Sequence, residues 1–207
     1  MLVSNVISLA KSSELRQLAV KDDDEAIIGF INLGMLELYK RFPLRTEEAI
    51  ITLRNGKSAY KLDGTDDAVS MYTDSVTNLL VITNCFDEQG DPVTINDEND
   101  PLGIMTPTYN MIQVPSINDG EILTVHYQAA PDFYTSVTDN LDLPPQLLEA
   151  LLHYIGYRGH SSISADVKAQ NNTHYIRFDQ SCNRVLEKGL ILPDDMESYN
   201  FEQRGFV

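Results

Sequence analysis

The segment from residue 143 to residue 189 constrains the fold most, because it carries two apolar runs at helical spacing. The first run follows Pro144 and Pro145, which fit a first helical turn because no backbone donor is missed there. Its apolar residues recur every three or four positions along one helical face. They are Leu147, Leu148, Leu151, Leu152 and Ile155. The segment therefore predicts an amphipathic helix.

A second helix is predicted in the same segment. Its apolar residues are Tyr175, Phe178, Cys182 and Val185. Gly189 after Lys188 is a typical C-terminal stop. Gly156 and Gly159 weaken the end of the first helix, and the polar residues 161–164 predict a turn that can cap the next one. Two amphipathic helices joined by a short turn predict an antiparallel helical hairpin.

Two more helices are predicted before residue 45. The first has Ser4 as its candidate N-cap and is apolar at Val3, Val6, Ile7 and Ala10. A short turn is predicted to begin at Ser12. The second helix is predicted to begin at the acidic run 22–25, because acidic side chains are stabilised by the positive end of a helix dipole. It is predicted to end before Pro43. The apolar residues of that helix are Ile27, Ile28, Ile31, Met35, Leu38 and Tyr39.

From Thr46 the apolar period changes from helical to alternating. Residues 48–54 and 57–62 flank Asn55-Gly56, a pair that tolerates positive φ, so we predict a β-hairpin there. The remaining predicted strands are 69–73, 78–86, 109–114 and 121–128, with turns at 87–92 and 96–101. In the last strand, 122, 124 and 126 lie on one side and 123, 125 and 127 on the other. Several short strands separated by turns about every ten residues predict a small antiparallel sandwich or barrel.

The order of these elements predicts an α+β fold. We expect an α-helical bundle or hairpin with an inserted small antiparallel β domain and an extended C-terminal tail. The predicted parts are N-terminal helices in 1–45, the β domain in 46–130, a linker and the helical hairpin in 131–189, and a docking tail in 190–207. The apolar helical stripes can be buried only against each other or against a neighbouring chain.

The charge balance disfavours one class of function. The 207 residues contain 15 Lys and Arg against 31 Asp and Glu, a formal net charge of −16. Such a surface repels phosphate backbones, which argues against a general nucleic-acid binder but permits a protein that surrounds DNA without gripping it. Cys85 and Cys182 suit two buried thiols in a reducing compartment better than a disulfide framework. We expect no secretory signal and no membrane span.

No motif supports an enzyme. Ser8 to Lys11 spell S-x-x-K without the partner motifs of penicillin-recognising enzymes, and residues 159–163 resemble a nucleophile elbow but place Ile163 where the closing glycine belongs. The acidic clusters lack the ligand order of an EF-hand. We therefore predict no catalytic residue and no cofactor.

The histidines also argue against chemistry. None of the four pairs with another at i, i+4 and none lies beside a Cys-x-x-Cys, so we predict no metal site. His126 is expected to be a half-buried sheet residue. The other three are expected on helix surfaces, and they are His153, His160 and His174.

Four stretches together carry a resemblance to a known family. They are residues 30–43, the hairpin around Gly56, residues 109–115 with 120–131, and residues 143–158 with the helix that contains Phe178. In this combination the chain resembles the head-to-tail adaptor proteins of tailed bacteriophages, particularly the short-tailed ones. Residues 87–101 and the tail are outside the resemblance.

The resemblance implies a structural virion protein of the neck, assembled in the host cytoplasm. Such adaptors form a ring, here expected to be a dodecamer, beneath the portal protein of a filled capsid. The helical bundle forms the heart of the ring, and the β domain projects outward or towards the tail. The ring extends the DNA channel, through which genomic DNA passes without sequence-specific binding, and it provides a platform for tail nozzle or tail fibre proteins. No active site, cofactor or membrane is implied.

The partner interface is placed, as a hypothesis, on the last helices and on the tail, whose aromatic residues are of the kind that dominates interfaces. The residues are Tyr154, Arg158, Tyr175, Arg177, Tyr199, Phe201 and Phe206. The alternative for the tail is that it folds on its own subunit or stays disordered. Alternative functions are a tail-completion or tail-terminator protein, a small cytoplasmic enzyme with an unrecognised site, and a soluble regulatory binding module.

Overall fold

The structure is a computed structural model that describes residues 1–71, 78–100, 103–115, 119–161 and 168–191, without the side chains of 168–172. The chain forms two compact units, one from Met1–Phe42 and the chain from Asp132 onward, the other from Pro43–Pro131. The first is helical and the second consists of antiparallel sheets, which confirms the predicted α+β fold. The four-part division of the chain stays a prediction.

The helical unit contains four α-helices among the described residues. They are α1 (Val3–Ser12), α2 (Asp24–Arg41), α3 (Leu148–Ser161) and α4 (Lys168–Glu187). Short 3-10 helices precede α2 and α3, at Ala19–Asp22 and Pro145–Leu147. Within this range no helix is both long enough and apolar enough to cross a lipid bilayer.

The first helix buries its predicted face but is not capped as predicted. Its buried residues are Val3, Val6, Ile7 and Ala10. The helix begins at Val3, two residues earlier than it would with Ser4 as its N-cap, because Leu2 occupies the N-cap position without a side-chain cap. The prediction of Ser4 as the cap is therefore wrong. The backbone amides of Val3 and Ser4 instead donate to the carbonyls of Asp139 and Val137, at 3.0 and 2.9 Å.

The second helix follows its sequence signals at both ends. The Asp23 carboxylate accepts a hydrogen bond from the Ala26 amide at 3.0 Å, which satisfies one of the free donors of the first turn. Phe42 is extended, as the residue before a proline must be, so the helix ends at Arg41. The buried face is Ile27, Ile31, Gly34, Met35, Leu38 and Tyr39, whereas the predicted Ile28 is only half-buried.

The third helix continues through both of its glycines. A Cβ at Gly159 would lie 2.4 Å from Leu15 Cδ2, so the absence of a side chain allows the neighbouring segment to pack closely. The predicted turn at 161–164 lies, apart from Ser161, outside the described residues. At the other end of α4, Gly189 has φ of +58° and its amide donates to the Leu186 carbonyl at 2.9 Å. The predicted C-terminal stop is confirmed.

The β unit is built from two antiparallel sheets. Their strands are β1 (Thr46–Thr52), β2 (Ala59–Lys61), β3 (Val69–Met71), β4 (Leu79–Phe86), β5 (Pro92–Val93), β6 (Met105–Thr108), β7 (Met111–Gln113) and β8 (Ile122–Ala129). Five strands form one sheet in the order β3-β1-β8-β4-β5, and three form the other in the order β2-β7-β6. The short strands β5 and β6 had no clear signal in the sequence.

The predicted hairpin between β1 and β2 is wrong, because the two strands belong to different sheets. The turn itself is present, with φ of +82° at Gly56. The Tyr60 hydroxyl accepts from the Arg54 amide and donates to the Lys57 carbonyl, both at 2.8 Å. The Tyr60 hydroxyl thus makes the hydrogen bonds of two backbone groups that flank the turn. Strand β1 pairs along its whole length with β8 instead.

Side chains from both sheets join in one hydrophobic cluster. In β8 the buried residues include Leu123, Val125 and Tyr127, which confirms the predicted alternation. A polar group is buried beside them, since Glu47 is only 6% exposed. Its carboxylate accepts from the Tyr127 hydroxyl at 2.8 Å and the Asn78 amide at 3.2 Å, and lies 2.6 Å from Arg45 Nη2.

Both cysteines are free and buried, as predicted. Burial raises the pKa of Cys85 to about 12 and that of Cys182 to about 11. At neutral pH both are therefore protonated thiols that behave as small apolar side chains.

Candidate assembly surfaces

The predicted interface residue Tyr154 lies in the core of the helical unit, where it is only 9% exposed. Its ring packs edge-to-face against Phe178, with centroids 5.2 Å apart, and against Tyr157 at 5.8 Å. Burial raises the pKa of its hydroxyl. A Cβ at Gly34 would approach the Tyr154 ring to 3.1 Å, so Gly34 leaves room for this tyrosine. In this conformation Tyr154 stabilises its own subunit.

The other predicted interface residues differ in their exposure. Arg158 is half-buried, and its Nε is buried without a hydrogen-bond partner. Tyr175 is 40% exposed, and Arg177 is also exposed. The predicted aromatic anchors Tyr199, Phe201 and Phe206 lie outside the described residues.

The orientation of α4 is set by Arg41 at the end of α2. Its Nη1 lies 2.6 Å from Asp179 Oδ1, and its Nη2 donates to the Tyr175 hydroxyl at 3.3 Å. The guanidinium also lies over the Phe178 ring, 4.7 Å from the centroid, which is cation–π geometry. These contacts hold the face of α4 that carries Phe178 inside the unit. The opposite face of the helix is left in solvent.

The helical stripes that the sequence predicts are mostly buried within the unit. The apolar surface that remains lies elsewhere, above all on α4. Ile176 is 53% exposed and Leu186 is 44% exposed. Eleven residues separate Tyr175 from Leu186, close to three helical turns, so the two lie on nearly the same side of α4. We call Tyr175, Ile176 and Leu186 the α4 surface. Arg177 lies on the opposite side of the helix from Leu186, beside His153 and Ser181.

A second exposed surface is the outer face of the five-stranded sheet. Thr124 pairs with Ile50 on one side and with Phe86 on the other, so these three side chains form a row across β1, β8 and β4. Ile50 is 46% exposed. Beside the row, the His126 ring lies 4.8 Å from Phe86 and its Nε2 lies 3.3 Å from Glu48. His126 is thus half-buried in the sheet, as predicted.

The remaining histidines are not helix-surface residues, so that prediction is wrong. The side chains of His153 and His174 are 14% and 13% exposed. They converge on Glu14, and their donor atoms lie within 4.8 Å of one another, as a metal site requires. His160 stacks on His174 with ring centroids 4.7 Å apart. No local spacing could reveal this cluster, because its members come from three distant segments.

Burial lowers the pKa of His174, and the nearby His160 and Arg177 lower it further, while the Glu14 carboxylate opposes the shift. At neutral pH the His174 imidazole is therefore uncharged and retains a free lone pair.

Comparison with known protein families identifies the family of this chain. Residues 4–198 match the family described as SU10 adaptor protein. No curated protein matches the chain. The family match spans both units and includes residues 87–101, which the sequence resemblance did not cover. It favours the structural interpretation over the enzyme and the regulatory module. The chain belongs to the SU10 adaptor protein family and is a head-to-tail adaptor, a structural component of a phage virion that binds portal or tail proteins.

Proposed function

We propose that this adaptor forms a closed ring of twelve copies beneath the portal protein, where it extends the DNA channel. The observation that carries the proposal is that each unit has its own exposed apolar surface. A ring is closed by heterologous contacts, in which one patch of a subunit meets a different patch of the next. The α4 surface supplies one such patch, which leaves the sheet surface of the other unit available to a further partner.

The α4 surface is proposed as a contact between neighbouring subunits or with the portal. Its tyrosine is of a type enriched at protein interfaces, and the exposed apolar residues Ile176 and Leu186 lie on the same helix. Arg177, on the other side of α4, stays a proposed interface residue. Because Arg41 and Asp179 hold α4 in place, little conformational entropy is lost when a partner binds. Tyr154 supports this surface from within the subunit, because its ring packs on Phe178, which in turn contacts Tyr175. Arg158 stays a proposed interface residue.

The outer face of the five-stranded sheet is proposed as the platform for tail nozzle or tail fibre proteins. The row of Ile50, Thr124 and Phe86 offers a small apolar strip, and Glu48 with His126 offers polar groups at its side. An apolar centre with a polar edge is the usual arrangement of a protein interface.

The acidic charge suits a protein that encloses DNA. A net charge of −16 repels phosphate groups, so genomic DNA passes through the channel without sequence-specific binding. A basic lumen in an assembled ring would be inconsistent with this part of the proposal.

Leu186→Glu is the sharpest test of the α4 surface. The side chain is 44% exposed, so a carboxylate there should leave the fold intact while it places a charge in an apolar contact. We expect negative-stain images of the variant mixed with portal rings to show the portal alone, whereas the unmodified chain adds a second coaxial ring.

The matched control is Leu9→Glu, the same substitution at a position of α1 that is 41% exposed. We expect this variant to assemble normally. Equal assembly of both variants would remove the α4 surface from the proposal, and equal loss in both would show that added charge alone prevents assembly.

The tail of residues 190–207 is proposed to dock on the portal through Tyr199, Phe201 and Phe206. Deletion of residues 194–207 is expected to abolish attachment to portal-containing capsids, because buried aromatic anchors often supply most of the binding energy. Attachment is measured by co-sedimentation with capsids. A triple Ala variant of the three aromatic residues serves as the matched control for length, and undiminished attachment of both variants would refute the docking role.

A further inference from the structure

The cluster of Glu14, His153 and His174 joins three separate segments of the helical unit. Glu14 lies in the turn after α1, His153 lies on α3, and His174 lies on α4. Glu14 Oε2 is 2.9 Å from His174 Nδ1, and Glu14 Oε1 is 3.3 Å from His153 Nδ1. The three side chains are 16%, 13% and 14% exposed in the order Glu14, His174, His153.

Hydrogen bonding does not account for this arrangement. Despite the short distances, the Nδ1 atoms of His153 and His174 are buried and neither has a hydrogen-bond partner. Buried polar atoms without partners destabilise a fold, and native structures contain few of them. Two such atoms aimed at one carboxylate therefore indicate that a further group belongs between them.

The donor set matches a divalent transition metal. Imidazole nitrogen and carboxylate oxygen are ordinary ligands of Zn²⁺, at about 2.0–2.1 Å from the ion. A tetrahedral site with such bonds has ligand atoms about 3.3 Å apart. The distance from Glu14 Oε1 to His153 Nδ1 equals this value, and the 2.9 Å from Glu14 Oε2 to His174 Nδ1 is shorter, so this pair has to separate by a few tenths of an ångström when the ion binds. Ca²⁺ and Mg²⁺ prefer sites made of oxygen atoms, so they fit this donor set poorly.

The surroundings of the cluster also fit an ion. His153 Nε2 faces Glu149 Oε1 at 3.7 Å, and a carboxylate behind the second ring nitrogen is the usual support of a metal-binding histidine. Gly156 lies against the cluster, where a Cβ would come within 2.9 Å of His174 Nδ1 and 3.1 Å of Glu14 Oε2. A glycine at this position keeps open the space that an ion needs. A surface groove lined by His153, Arg177 and Ser181 borders the cluster on its His153 side.

We propose that Glu14, His153 and His174 bind one Zn²⁺ ion, with a water molecule in the fourth position. The ion ties the turn after α1 to both helices of the C-terminal hairpin. Its role is structural, since the cluster connects elements of one unit. The site is additional to the adaptor function, which does not depend on it.

The test uses the full chain without an affinity tag, stripped of metal with a chelator and then titrated with Zn²⁺. We expect one ion per chain by elemental analysis and calorimetry, and a higher melting temperature with Zn²⁺ than without it. Glu14→Gln and His174→Gln remove a ligand and should weaken binding by more than about 100-fold, whereas Glu149→Gln removes only the support and should weaken it by about 10-fold.

The matched control is His126→Gln, because His126 also lies near a carboxylate, at 3.3 Å from Glu48, but has no second histidine there. This variant should bind Zn²⁺ as the unmodified chain does. Each variant is compared with itself with and without Zn²⁺, so a general loss of stability is not mistaken for a loss of binding.

A second measurement uses only the unmodified protein, so it tests the proposal even if the variants do not fold. The chain has only four histidines, so their imidazole NMR signals are readily resolved in the unmodified protein. Zn²⁺ should shift the signals of His153 and His174 and leave that of His126 unchanged. Absence of stoichiometric binding, or shifts confined to other residues, would overturn the proposal.

Discussion

Phe178→Ala is expected to lower the free energy of unfolding of the helical unit by about 3–5 kcal/mol. The Phe178 side chain is fully buried, and its ring contacts Tyr154 and Tyr175 at centroid distances of 5.2 and 5.9 Å. Arg41 lies over the same ring. Truncation removes the buried ring surface, leaves a cavity, and takes away the cation–π contact that helps to orient α4.

The measurement is urea unfolding followed by far-ultraviolet circular dichroism, since the chain contains no Trp for fluorescence. The matched control is Phe133→Ala, the same substitution in the same unit at a side chain that is 66% exposed. We expect the control to change stability by no more than about 0.5 kcal/mol. Phe178→Leu keeps most of the apolar volume and should recover a large part of the loss. A similar small effect of Phe178→Ala and Phe133→Ala would contradict the described packing of α4.

Glu47→Ala is expected to destabilise the β unit by about 2–4 kcal/mol, somewhat below the usual range for breaking a buried ion pair. The lower value reflects Arg45, whose side chain is 31% exposed and retains contact with water when the carboxylate is lost. Tyr127 and Asn78 each lose the carboxylate to which they donate. Buried donors that lose a charged acceptor cost more than the hydrogen bond itself contributes.

Amide hydrogen exchange in β1 and β8 measures this effect, because both strands flank the Glu47 carboxylate. The control is Glu48→Ala at the adjacent position of β1, where the side chain is 56% exposed and faces His126 on the outer side of the sheet. Exchange in that variant should be close to that of the unmodified chain. If both substitutions accelerate exchange equally, general loss of strand propensity is responsible and the buried network is not.

Elements with a strong local signal were predictable from the sequence. The acids before α2, the proline after it, and the glycine after α4 all act through the backbone of their own helix, so the ends of these helices follow from neighbouring residues alone. The alternation of β8 likewise reports which side of the strand faces a core. The resemblance to the adaptor family rests on the same short stretches, and the family match confirms it.

The failures arose where the outcome depends on distant residues. Asn55-Gly56 forms the expected turn, yet the pairing of β1 is decided by β8, about seventy positions further along the chain. Tyr154 stays a predicted interface residue, and the sequence did not show that its ring is buried where Gly34 leaves room for it. The histidines were expected to stay apart because no two of them have a ligand spacing in sequence.

By itself, the sequence determined the class of the fold, the positions of the main helices and strands, and the family, because local periodicity, helix ends and turn residues act over a few neighbouring positions. Only the tertiary structure decided which sheet each strand joins, which aromatic side chains are buried, and that Glu14 meets His153 and His174. Those outcomes depend on contacts between segments far apart in the chain, where the free energy of burial and the geometry of packing outweigh any local preference.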